Sequence, residues 1–143
     1  MTTVANILRS KPDRTVHGVS PATSMYEALG VMAEKNVGAL LVLDDGAIVG
    51  IVTERDYARR IVLKGRSSRD TPVRDVMTSP VLYVTPEQSG AECMALMTEK
   101  RLRHLPVLDG GRLVGLVSSG DLVKDIISQQ NFIIEQLVHY ITG

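Results

Sequence analysis

The chain contains no tryptophan, one phenylalanine and one cysteine among 143 residues. The single thiol, Cys93, has no partner for a disulfide. It falls on the apolar side of a helical pattern, which suits a small core residue better than a nucleophile. Net charge is also missing: 16 basic residues balance 16 acidic ones. That removes the global basic field that draws a phosphate polymer or an anionic membrane irrespective of sequence, so no nucleic-acid or membrane partner is expected and anion binding must be local. No apolar run approaches the roughly 20 residues of a membrane span, and MTTVANILRSKPDR lacks the apolar stretch of a secretion signal, so a cytoplasmic chain is expected. Nor does the sequence hold a G-x-G-x-x-G, a P-loop, a metal-ligand cluster or a nucleophile-base-acid set. An enzyme is therefore not expected, and neither is a metal or a catalytic cofactor.

What is present is an ordinary globular composition, 44% hydrophobic and 22% charged, enough for one compact domain or for two small units sharing a core. Displacing the chain against itself by 65 residues decides between them. VSPATSMYEALGVMAEKNVGALLVLDDGAIVGIVTERDY (19–57) falls on VTPEQSGAECMALMTEKRLRHLPVLDGGRLVGLVSSGDL (84–122), with 16 of 39 pairs identical, where chance gives about two or three. The chain carries an internal duplication.

Each copy reads as strand, helix, strand, strand, helix, an α/β unit. A short strand over 17–20 or 82–85 closes at Pro21 or Pro86, which cannot donate to a ladder. Ser24-x-x-Glu27 and Ser89-x-x-Glu92 are capping boxes that start a helix. Met25, Leu29 and Met32, with Met94 and Met97 in the second copy, form a stripe expected to face the core. The helices end near Asn36 and Arg101. Asp-Gly or Gly-Gly between branched aliphatics then signals a tight hairpin. One unit alone has too few residues to bury both faces of its sheet, so a pseudo-twofold pair is expected. Between the copies, KGRSSRDTPVRDVMTS (64–79) is polar and contains a helix start at Thr71-Pro72.

Both copies end their hairpin in the same corner, GIVTERD (50–56) and GLVSSGD (115–121). Thr53-x-x-Asp56 and Ser118-x-x-Asp121 fit a capping box, which makes the acids mere helix caps. They equally fit a grip on a nucleoside phosphate. A helix N-terminus offers free N–H groups to a phosphate, and an ionised carboxylate accepts from both vicinal hydroxyls of a ribose. Arg66-Ser67-Ser68 is read as a solvated loop before a phosphate cradle, and His17 and His139 lack metal-ligand spacing.

The doubled pattern of LPVLD, VGLV or VGIV and T/S-x-x-D resembles the tandem cystathionine-β-synthase (CBS) domain pair, or Bateman module, from about residue 4 to residue 127. The resemblance implies an N-terminal helical segment (1–15), two CBS domains (16–63 and 80–127), a linker (64–79) and a helical tail (128–143). It also implies two clefts between the repeats that bind adenosine-containing ligands: AMP, ADP, ATP, NAD or S-adenosylmethionine. Asp56 and Asp121 would hold ribose, with Thr53 and Ser118 near ribose or phosphate. Backbone at Val16, His17, Val81 and Leu82 would hold adenine. Arg103 and His104 occupy positions that reach phosphate, although His104 also fits a surface histidine. The first copy has Gly38 and Ala39 there instead, so Arg55 is the candidate to supply the missing charge, and the two clefts are expected to differ in preference.

Beyond the second corner, Leu122, Ile126, Ile127, Ile134, Leu137, Val138 and Ile141 form an apolar helical stripe, with a break expected near 130–132. It would pack on the N-terminal VANIL segment or against a second copy of the chain in a homodimer. Two functional readings stay open: a sensor of adenosyl nucleotides that signals to a partner protein, and a structural adaptor whose corners only cap helices.

Overall fold

A computed structural model describes residues 2–142. The chain divides into two compact units, Thr15–Val81 and Met1–Arg14 with Leu82–Gly143. Each unit contains one copy of the duplication, and the same local chemistry builds both.

In the first copy, β1 (Gly18–Val19) runs parallel to β2 (Ala39–Asp44), which pairs antiparallel with β3 (Ala47–Thr53). Between β1 and β2 lies α2 (Met25–Lys35), started by Ser24, whose hydroxyl accepts from the Glu27 amide at 3.1 Å. Asn36 stops the helix in the left-handed region at φ 55°, a conformation that asparagine tolerates better than most residues. The second copy repeats this with α4 (Gly90–Lys100), capped by Ser89 and closed by Arg101, then β4 (His104–Asp109) and β5 (Arg112–Ser118). Both hairpins turn on two positive-φ residues, Asp45-Gly46 and Gly110-Gly111, the backbone that matches the twist of the flanking strands. Both slip register at the same point, between Val42 and Leu43 and between Val107 and Leu108.

The structure departs from expectation in several places. The opening strands are shorter: two residues in the first copy and a single bridge, Val84 to Val107, in the second. Just after each, a side chain three residues on takes the backbone amide, Thr23 that of Ser20 and Gln88 that of Thr85. After α3 (Glu54–Asp56) the first copy continues as a π-helical turn over Tyr57–Val62. Thr71 caps nothing; its hydroxyl donates to the Ser67 carbonyl at 2.7 Å, and only a three-residue 3-10 turn, Val73–Asp75, follows Pro72. Met94 does not join the core stripe. It is 36% exposed and lines a shallow cavity beside Leu122 and Ile126. Finally, α5 (Ser119–Thr142) runs unbroken through 130–132. Its apolar residues from Phe132 to Ile141 are exposed, so the N-terminal VANIL segment does not cover the tail. Among the described residues, no helix is long and apolar enough to cross a membrane.

The cores show what the alignment left out. Each copy is closed by a strap from outside the repeat. In the first, Val73 and Val76 are fully buried among Met25, Leu40 and Val52. In the second, Val4, Ile7 and Leu8 of α1 (Val4–Ser10) are buried among Cys93, Leu105 and Val117. The two straps make matching backbone bonds. The Val73 amide donates to the Thr23 carbonyl and the Val4 amide to Gln88, while Thr71 O receives the Met25 amide and Thr2 O the Gly90 amide. Their sequences, TPVRDVMTS (71–79) and TTVANILRS (2–10), correspond position for position. Each strap ends by laying a side chain on a hairpin glycine: a Cβ at Gly50 would meet Met77 Sδ, and one at Gly115 would stand 2.7 Å from Leu8 Cδ2. A larger residue at either place would force the covering side chain to move, because it occupies the space of a Cβ.

Candidate functional site

At the end of β3, Thr53 is still extended and the next residue is helical, so its side chain points back over the first turn. Thr53 Oγ1 accepts from the Asp56 amide at 3.1 Å, and Asp56 Oδ2 accepts from the Thr53 amide at 2.9 Å. The second corner is the same: Ser118 Oγ accepts from the Asp121 amide at 3.1 Å and Asp121 Oδ2 from the Ser118 amide at 2.8 Å. Even the approach is shared. The amide after the hydroxyl residue, Glu54 or Ser119, donates to the carbonyl of Gly38 or Arg103.

The capping box is therefore formed at both corners. It uses a single oxygen, Oδ2, of each carboxylate, and leaves Oδ1 outside the cap. Both acids are largely buried, with side chains 12% and 14% exposed at Asp56 and Asp121. A helix cap and an acceptor for an incoming hydroxyl are thus compatible functions of one aspartate.

The corners differ in their cations. Arg60 Nε stands 3.8 Å from Asp56 Oδ1, while its Nη1 donates to the Val76 and Met77 carbonyls. Asp121 Oδ2 instead meets Lys11 Nζ at 3.0 Å. Burial pushes the Asp56 carboxyl above the ordinary carboxylate range, and the Thr53 amide and Arg60 offset this only in part. Burial acts the same way on Asp121, but the Ser118 amide and Lys11 together outweigh it and hold that carboxyl low. Burial also lowers His104, with the charges of Lys11 and Arg103 adding to it and Asp121 opposing. These effects favour the neutral form of His104.

These opposite shifts predict opposite pH responses. Asp121, depressed on folding, stabilises the fold above the ordinary carboxylate pKa, and the contribution is lost as pH falls through the folded value. Asp56, raised on folding, favours the fold at low pH and loses that contribution as pH rises through its folded value. Asp121→Asn is expected to lower the denaturant midpoint near neutrality and to reduce the acid-side fall. Asp56→Asn should leave the neutral midpoint unchanged or higher. Urea titrations from roughly pH 7 to roughly pH 4 test both, and equal responses of the two variants would contradict this assignment.

The second unit's β4–β5 end gathers Arg103, His104, Ser118 and Asp121, with His104 paired to Ser118 across the ladder. Sequence reasoning missed Lys11, because its segment lies outside the aligned repeat. The first unit gathers Thr53, Arg55 and Asp56, with Arg55 close enough to act on the Asp56 charge. Val16 and His17 precede β1, and the His17 carbonyl accepts from the Leu41 amide. Val81 is half-buried and Leu82 exposed. The loop at Arg66 is held by structure: Arg66 pairs with Asp75 at 3.3 Å, and the Ser67 and Ser68 carbonyls are both bonded. Cys93 is buried in the core. Among the described residues no group of His, Cys, Asp and Glu is arranged to hold a metal.

Comparison with known proteins shows the family. The family model for the CBS domain matches twice, over residues 4–63 and 73–128, so each match includes one of the straps. The Arabidopsis thaliana mitochondrial CBS domain-containing protein CBSX3 is 38% identical over 99% of this chain and 73% of its own length. A Burkholderia ambifaria MC40-6 protein with CBS domains has a solved structure that superposes with a TM-score of 0.88 at 60% identity, covering 90% of this chain and 96% of that one. CBSX2, solved in complex with AMP, superposes with a TM-score of 0.71 at 28% identity over 91% of this chain and 99% of that one. The chain belongs to the CBS-domain family, as a tandem pair of CBS domains.

Proposed function

We propose that the protein is a regulatory module that binds an adenosine-containing nucleotide at its two corners and passes the bound state to a partner protein. One observation carries this reading. Each corner engages Oδ2 of its aspartate in the cap and leaves Oδ1 outside it, which supports a role for that oxygen as an acceptor for a ribose hydroxyl, with Arg60 also facing it at the first corner. AMP bound to the relative CBSX2 supports adenine nucleotides as the ligand class. Thr53, Ser118, Arg55, Arg103 and His104 then line the ribose and phosphate end, and the backbone at Val16, His17, Val81 and Leu82 takes the adenine.

Thermal unfolding tests it. Ligand at 100 times its dissociation constant stabilises by about 2.7 kcal/mol, which raises the midpoint several degrees at roughly 2–4 °C per kcal/mol. AMP, ATP, NAD and S-adenosylmethionine are each assayed, and at least one is expected to produce the rise. A flat response to all four would leave the adaptor reading, which the complete caps also support. The exposed apolar stripe of α5 supports a homodimer as the second part of the proposal. A monomeric mass by light scattering would remove that part.

A further inference from the structure

The two corners share every bond of the cap but not the cation, and the difference has a local cause. In the first copy, the Ile51 carbonyl is taken by the backbone amide of Thr78, at the end of its strap. In the second copy the equivalent carbonyl, Leu116, is taken at 2.8 Å by the ammonium of Lys11, at the end of α1. A neutral main-chain bond is thus replaced by a charged side chain, and that side chain also reaches Asp121. An ammonium has three donors, and two are accounted for by Leu116 and Asp121.

Lys11 and Asp121 both line a cavity of about 440 Å³, together with Ser10, Lys124, Asp125 and Ser128. That volume lies in the range of about 300–1,000 Å³ typical of small-molecule sites. Its apolar part is supplied by Ile7, Pro12 and Ile127. We propose that Lys11 determines the specificity of the second corner, receiving the phosphate of the nucleotide whose ribose Asp121 holds, and so selects a nucleoside monophosphate. This rests on the nucleotide-binding reading above.

The charge of the lining sets the preference. Two ammoniums, Lys11 and Lys124, stand with two carboxylates, Asp121 and Asp125. These four charges cancel, so a single phosphoryl group, at about −1.5 to −2 at neutral pH, is the smallest phosphate charge that the lining has to take up. A triphosphate sets further negative charge against the two aspartates.

The test is calorimetric titration of AMP, adenosine and ATP at fixed ionic strength, in an Asp56→Ala background so that the second corner alone reports. AMP is expected to bind about tenfold or more tighter than adenosine, since it gains a charge-assisted bond, and tighter than ATP. Lys11→Met should weaken AMP by about tenfold or more while changing adenosine by less than about twofold, and Lys11→Arg should restore most of the loss. If Lys11→Met weakens adenosine as much as AMP, the lysine only shapes Asp121 and the proposal fails. It also fails if AMP is unaffected or if ATP binds as tightly. Should Lys11→Met not fold by circular dichroism, Lys124→Met carries the same expectation for AMP against adenosine. Failure of AMP to bind overturns the Lys11 proposal, and the nucleotide reading itself falls if NAD and S-adenosylmethionine also fail to bind the unmutated chain. AMP binding that ignores Lys11 removes only the specificity claim.

Discussion

Deleting residues 1–14 is expected to unfold the second copy of the repeat while the first keeps its hydrogen-exchange protection. The segment contributes Val4, Ile7 and Leu8 to the core at 0%, 3% and 6% exposure. At about 1.5–3 kcal/mol for each buried aliphatic, their removal forfeits roughly 5–9 kcal/mol. That matches or exceeds much of the 5–15 kcal/mol by which whole domains are stable. Deletion also strips the partners from the Gln88 and Pro86 carbonyls, which Val4 and Ala5 supply, and bares Gly115, which lies under Leu8. The first copy keeps its own strap, including Val73, Val76 and Met77, within Thr15–Val81. Amides of β4 and β5 should therefore exchange freely in the deleted chain, with those of β2 and β3 still protected. Retained protection in β4 and β5 would show that α1 is an ornament on a self-sufficient unit.

That segment also marks where the sequence was legible and where it was not. The duplication, both hairpins, the helix starts at Ser24 and Ser89 and the stops at Asn36 and Arg101 were readable, because each depends on local chemistry within a few residues. The corners were readable for the same reason, down to the hydroxyl and acid three residues apart. The straps were not. They repeat at a spacing of 69 residues while the main copies repeat at 65, so a single displacement aligns one and misses the other. Their kinship rests on Val4 with Val73, Ile7 with Val76 and Leu8 with Met77, a short apolar pattern that becomes meaningful only once the backbone bonds are seen. Lys11 was invisible on the same account: nothing local links it to Asp121, 110 positions away. The π-turn over Tyr57–Val62 was hidden too, since YARRIV has ordinary helical composition. Met94 failed because helical spacing identifies a face but not whether a neighbour covers it.

The second large effect concerns the ribose. If Asp56 and Asp121 each accept from the vicinal hydroxyls of the ligand, removing one hydroxyl takes away a charged hydrogen bond worth about 1.5–3 kcal/mol. That is a factor of roughly 10–150 in affinity. Because the caps already fix Oδ2, the carboxylates need no reorganisation to bind, and the full difference should appear in the dissociation constant. Substituting both aspartates by alanine should weaken AMP strongly, but that loss alone is ambiguous, since each side chain also closes a capping box worth about 1 kcal/mol. Pairing the substitution with a change in the ligand separates the two contributions, in the manner of a double-mutant cycle.

The decisive measurement is therefore the affinity of AMP and of 2′-deoxy-AMP for the unmutated chain and for the Asp56→Ala/Asp121→Ala variant. The deoxy ligand should bind the unmutated chain at least about tenfold more weakly than AMP, and the variant should no longer distinguish the two. Equal affinity of both ligands for the unmutated chain, or a preference for AMP that survives loss of both carboxylates, would contradict the claim that these aspartates hold the sugar.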